Sequence, residues 1–171
     1  GAGATLWLGV LATAALFDMA PVQTAAAGAS SCESLATLTL PSATITLAQT
    51  VAPGTFAPPE ASGGGAAQPS VFSSLPSLCR VAATLKPSND SDIKIEVWLP
   101  PASSWNGKFQ AVGNGGWAGT VGYPALATAV AAGYASASTD TGHVGNSADF
   151  ALGHPEKLID FGYRSIHEMT V

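Results

Sequence analysis

Charge is what this sequence has least of: Asp, Glu, Lys and Arg make up 10% of its 171 residues, against about a quarter in an ordinary soluble domain. Only six side chains are Lys or Arg and the formal net charge is −5, which excludes the basic face that a nucleic acid or an anionic membrane surface requires. No apolar run reaches the length of a bilayer span; residues 6–17 (LWLGVLATAALF) have the length of a signal-peptide core. No G-x-S-x-G elbow is written anywhere: Ser147, in GNSAD, fails at the final glycine, and Ser62, beside a glycine run, has no base near it. A transition-metal set is also missing, because His143, His154 and His167 with Asp140 and Glu156 do not follow ligand spacing.

Glycine (19) and proline (12) are plentiful instead, so less regular structure is expected than in a typical domain of this length. After the apolar run, Ala27-Gly28-Ala29 before Ser30 fits a cleavage site, and residues 1–29 read as a signal peptide without its initiator Met and basic start. A buried N-terminal helix is the alternative. Export would give the two cysteines a use, since an oxidising compartment favours pairing Cys32 with Cys79; two buried free thiols are the other reading. Residues 30–78 are expected to be irregular, apart from a strand at 43–47 (ATITL), with a linker-like loop at 52–70 around Gly63-Gly64-Gly65.

From Cys79 onward the pattern changes. CRVAATLKP and IKIEVWLPP, joined by SNDSD, read as a hairpin, and Ile93, Ile95, Val97 and Leu99 alternate with Lys94, Glu96 and Trp98 as though one face were buried. Residues 108–112 and 134–138 read as two further strands, with PALATAVAA at 124–132 as the helix between them. That is a βαβ unit, and its glycines, Gly113, Gly115, Gly116 and Gly119, fall at the carboxyl end of the first strand, where open α/β sheets place ligands. Residues 160–171 read as a last helix, with Asp160 near its start and Ile166 and Met169 toward the sheet.

Three readings of the glycine cluster stand side by side. GNGGWA satisfies G-x-G-x-x-A, with Asp140 at the end of the next strand, as in a dinucleotide site, although Gly119, Gly122 and Pro124 delay the helix. The loop can instead offer backbone N–H groups to an ester oxygen that is gaining charge, as an oxyanion hole does. Or the glycines only make a turn. Trp117 either lines an acyl pocket or packs on the sheet edge, and Asp140 and His143 read as side chains that fix a loop.

Three blocks in order, WNGKFQAVGNGGWAG, GYASASTDTGH and HPEKLIDFGYRSIHEMT, resemble the tannase and feruloyl esterase family of secreted serine esterases, a group that includes mono(2-hydroxyethyl) terephthalate hydrolases. The resemblance implies an α/β-hydrolase fold, of which this chain would hold the N-terminal part: an antiparallel hairpin and a βαβ unit, ending before the nucleophile elbow. Residues 79–171 would then be the first part of the catalytic domain. It implies a Ser-His-Asp triad lying beyond Val171, a lid domain that binds calcium, and the same Cys32–Cys79 bridge. Within this chain it assigns the Gly116 N–H as an oxyanion donor, with Gly115 as the alternative, and Trp117 as substrate-binding. The substrate implied is a small-molecule or plant-polymer ester of an aromatic acid, met outside the cytoplasm, with no nucleic acid or membrane as partner. The fragment alone is expected to be inactive. A non-catalytic secreted binding module that keeps the glycine loop as structure is the alternative from another class, and a dinucleotide-dependent oxidoreductase comes third.

Overall fold

A computed structural model describes Gly1, residues 31–59 and residues 69–171. The apolar run, the cleavage site, Ser62 and its glycines lie outside the described residues. Within them, five strands form one sheet in the order β1-β2-β3-β5-β4: β1 (Ala43–Val51), β2 (Leu78–Leu85), β3 (Ile93–Leu99), β4 (Phe109–Val112) and β5 (Ala135–Thr139). The first three are antiparallel neighbours, β3 meets β5 antiparallel, and only β4 and β5 run parallel. Such a hairpin followed by a parallel crossover is how an α/β-hydrolase sheet begins.

The crossover is α2 (Tyr123–Ala131), which begins at Gly122 with Pro124 in its first turn, where a missing N–H costs nothing. At its end Gly133 turns left-handed (φ +83°), and the N–H groups of Gly133 and Tyr134 close on the carbonyls of Val130 and Ala129. Leu126, Ala127 and Val130 face the sheet, packing with Phe56, Trp98 and Val112 and with Phe72 from the short α1 (Pro69–Ser73). On the opposite face Ile93, Ile95 and Ala137 pack against Met169. β5 lies between both layers, and its sequence, ASAST, is small enough for helices to approach from either side.

The strand expected at 43–47 is longer, Ala43–Val51, because it pairs along β2 and forms the sheet's antiparallel edge. Cys32 opens a 3-10 turn (Cys32–Thr37) and is bonded to Cys79 on β2 across 47 positions of chain, with Cα atoms 5.5 Å apart. In the chain-entropy view, a loop of that size contributes about 3–4 kcal/mol by constraining the unfolded chain.

Two sequence expectations are corrected. β3 does not have one buried face: Glu96 and Trp98, on the side read as polar, are 4% and 0% exposed. The reason is that layers cover both faces of the sheet, and Glu96 is tolerated because four donors converge on it. The last helix also starts earlier, at Pro155, and runs as α3 (Pro155–Ile159), a π turn (Asp160–Arg164) and α4 (Ser165–Thr170). The extra residue per turn rotates the face, so Ser165 and Met169 point inward, whereas Ile166 is exposed. Asp160 is fully buried inside this helix and accepts from Ser91 Oγ (3.0 Å) and Arg164 Nη1 (3.1 Å).

Candidate active site

The glycine loop leaves β4 at Val112 and does not enter α2 until Tyr123, so the helix does not open on the glycines as a dinucleotide fingerprint needs. Between them the chain makes a tight turn at 115–118, closed by the Ala118 N–H donating to the Gly115 carbonyl at 3.1 Å. Gly116 sits in it with φ +55°, a conformation that L side chains adopt only at a cost. Two side chains hold the turn. Asn114 Nδ2 donates to the carbonyls of Ala118 (2.9 Å) and Thr139 (3.0 Å), tying the loop to the end of β5. His143 Nε2 lies 2.9 Å from the Trp117 carbonyl. The N–H groups of Gly116 and Trp117 have no partner among the described residues, and both residues are exposed.

Trp117 does not pack on the sheet edge. Its ring stacks on Phe161 of the π turn (4.8 Å, 29°) and meets Phe150 edge-on (6.2 Å), yet it remains 42% exposed. His143 joins the same group, stacked on Phe150 at 3.8 Å. The loops after β4 and β5 therefore share one aromatic cluster beside the unpaired amides. Gly119 permits the approach: a Cβ there would collide with the carbonyl and ring of His143, whose Cδ2 would be 2.6 Å away. A cavity of about 200 Å³ lies alongside, lined in part by Gly119, Val121, Tyr123, Asp140 and Val144.

Asp140 and His143 fix the loop, the role read for them in the sequence. Asp140 Oδ1 accepts from the backbone N–H groups of Lys94 (2.9 Å) and Gly142 (2.8 Å). Burial pushes its carboxyl up to about 6, against the opposing pull of those two amides. A carboxyl raised in the folded state binds its proton there while the unfolded chain has lost it. The folded state is therefore favoured most below the unfolded value of 3.8, and that advantage is lost as pH rises through 6. A rise from 3.8 to about 6 corresponds to at most about 3 kcal/mol. In Asp140→Asn the acceptor for both amides is kept and the ionisation removed. Urea midpoints of wild type and variant should thus converge, or the wild type should lead, at pH 4.5, with the wild type falling behind at pH 7. A gap independent of pH would show that Asp140 does not titrate in this range.

Ser147 is the N-cap of a short 3-10 turn (Ala148–Ala151), its Oγ accepting from the Asp149 N–H. Among the described residues no three His, Cys, Asp or Glu side chains gather to hold a metal, and the calcium implied by resemblance is assigned no residue of this chain. What sequence reasoning missed is the carboxylate of Glu96. It accepts Arg80 through two nitrogens, Trp98 Nε1 (3.1 Å) and Tyr123 OH (3.1 Å), and so anchors the first residue of α2, where the glycine loop ends. An opposite charge, Arg80, on the neighbouring strand of the hairpin was the available signal.

A mixed five-stranded sheet whose one parallel pair is bridged by α2, with an open turn of unpaired amides at the carboxyl end of β4, is the sheet of an α/β-hydrolase. Residues 79–171, more than half of the chain, match the family described as tannase and feruloyl esterase, and the chain belongs to that family. It is 39% identical over 145 residues to an uncharacterized esterase of Xanthomonas campestris pv. campestris, covering 84% of this chain and 24% of that protein. A probable feruloyl esterase B-1 of Aspergillus terreus is 44% identical over 90 residues, or 53% of this chain and 17% of that one. The crystal structure of feruloyl esterase B from Aspergillus oryzae superposes with a TM-score of 0.69 at 31% identity, over 81% of this chain and 26% of that chain. The chain thus spans about a quarter, or less, of the length of these relatives.

Proposed function

We propose that the full-length protein carrying this chain is an exported serine carboxylic ester hydrolase acting on esters of aromatic acids, small or attached to plant polymers. The observation that carries this is the turn at 115–118, whose spare groups include two backbone donors, in a chain of the tannase and feruloyl esterase family. In the reaction, a serine Oγ outside this chain attacks the ester carbonyl and its proton passes to a histidine. The carbonyl oxygen becomes an anion, which the Gly116 N–H stabilises by donation. Collapse expels the alcohol, which takes up the proton, and water then releases the aromatic acid from the acyl-enzyme. Trp117, exposed and stacked, offers its face to the substrate's aromatic ring. Export is supported by the apolar run at 6–17 and by the Cys32–Cys79 disulfide; among the described residues no helix is long and apolar enough to cross a membrane.

The test is hydrolysis of methyl ferulate and methyl gallate. Purified full-length protein is expected to turn over one or both, and the 171-residue chain neither, because among the described residues no serine hydroxyl is hydrogen-bonded to a histidine as a triad needs. Turnover by the chain above that of a mock preparation would place the nucleophile within these residues. Inactivity of the full-length protein on both esters would favour the binding-module reading.

A further inference from the structure

We propose that His143 is a positioning residue for the donor turn: its imidazole draws the Trp117 carbonyl inward, leaving the N–H groups of Gly116 and Trp117 among the free donors of an exposed turn. The proposal rests on the oxyanion role given to that turn above.

A peptide turn exposes both donors and acceptors, and an anion is bound only where the acceptors are withdrawn. Here three of the four carbonyls at 115–118 are committed, all but that of Gly116: Gly115 to the Ala118 N–H at 3.1 Å, Ala118 to Asn114 Nδ2 at 2.9 Å and Trp117 to His143 Nε2 at 2.9 Å. A carbonyl oxygen only accepts, so His143 Nε2 carries a proton, and Nδ1 is left 3.3 Å from Thr141 Oγ1. From the loop after β5, Thr141 Oγ1 reaches the Ala118 carbonyl at 3.5 Å, and the His143 bond is the shorter of the two across that gap. Without it the Trp117 carbonyl is free to rotate outward, setting an acceptor dipole beside the donors and opposing the charge they serve.

The chain invests backbone conformation in placing this ring. Thr141, a β-branched residue, is held left-handed at φ +58°, and Gly142 follows at φ +83°. A β-branched residue in that region is an outlier, persisting only where its surroundings enforce it. Asp140 enforces it by capping the Gly142 N–H, and the Thr141 hydroxyl donates to the Asp140 carbonyl at 2.6 Å. The ring itself is 7% exposed, stacked on Phe150 and edge-on to Phe161 at 5.7 Å, with Gly119 cleared of a side chain to admit it. Phenylalanine would satisfy those ring contacts equally well. What histidine adds is a donor at the tip, aimed at one carbonyl.

The experiment uses the full-length protein and compares His143→Phe with His143→Gln, whose amide nitrogen reaches about as far as Nε2. H143F should lower kcat on methyl ferulate about ten- to hundredfold with KM nearly unchanged, the range that follows from a misplaced catalytic group. H143Q should recover most of that loss. If H143F does not fold, as judged by circular dichroism, H143N, with an amide too short to reach Trp117, takes its place. Amide exchange across residues 114–119 provides a readout apart from activity: it should quicken in H143F and stay near wild type in H143Q. Unchanged exchange in H143F, or equal losses of kcat in both variants, overturns the proposal. If the wild-type protein hydrolyses neither ester, the oxyanion reading has failed, and the exchange comparison still decides whether His143 holds the turn.

Discussion

Glu96→Ala is expected to lower the unfolding free energy by about 3–5 kcal/mol, the cost of removing one partner of a buried charged pair. Glu96 is 4% exposed and Trp98 fully buried, and the Arg80 side chain is only 14% exposed, so water cannot replace what is removed. The variant leaves a guanidinium, an indole N–H and a phenol O–H without their shared acceptor. Arg80 is bound closely enough that its hydrogen bond to Glu96 raises its proton affinity further, and burial, followed by the Glu96 charge, raises that of the Tyr123 phenol. The Arg80 guanidinium also sits 5.2 Å from the centre of the Phe56 ring. Truncation would therefore disturb the aromatic cluster of Phe56, Trp98 and Tyr123 as well as the ion pair. Urea unfolding measures the loss. The control is the triple change Arg80→Met, Glu96→Leu and Tyr123→Phe, which removes donors and acceptor together and should cost much less than the single variant, because replacing a buried pair by apolar groups is close to neutral. If E96A lies within about 1 kcal/mol of wild type, the value of an exposed pair, the network is wet and contributes little.

That network marks where the sequence stopped being legible. The hairpin and the βαβ unit follow from local signals: alternation, a run dense in alanine and leucine, and a proline at a helix start. Reading β3 as half-buried failed because alternation reports polarity, whereas burial of Glu96 depends on the layer packed over it, with donors from Arg80 on β2, Trp98 on β3 and Tyr123 on α2 brought together by the fold. The last helix failed for a different reason: a π turn adds a residue without leaving a mark in composition, so the face that α4 turns to the sheet, Ser165 and Met169 with Ile166 outside it, could not be set from a helix counted from Asp160. At the site, the glycine cluster and the loop-fixing roles of Asp140 and His143 were readable from residue type. Which carbonyl His143 would hold, and that Phe150 and Phe161 would gather around Trp117, required the two loops to be folded beside each other.

In the full-length protein, deleting the N–H of Gly116 is expected to lower kcat for ester hydrolysis by about 10²–10³, the usual effect of losing one oxyanion donor, with KM little changed. Proline is a poor instrument by itself: Gly116 has φ +55°, and proline fixes φ near −65°, so the substitution removes the donor and also breaks the turn. Two further variants separate these effects. Gly116→Ala keeps the N–H and places a Cβ in open space, leaving only the strain of a left-handed residue, so its kcat should stay within about tenfold of wild type. Replacing the amide between Gly115 and Gly116 by an ester, through semisynthesis, removes the N–H while leaving φ unchanged, and should reproduce the large loss. Gly115→Pro tests the neighbouring register, since the Gly115 N–H is the alternative donor. If the ester variant retains wild-type kcat and G115P is slow with its fold intact, the donor is Gly115. If both keep their activity, the turn at 115–118 serves only as structure and the stabilising donors lie elsewhere in the protein.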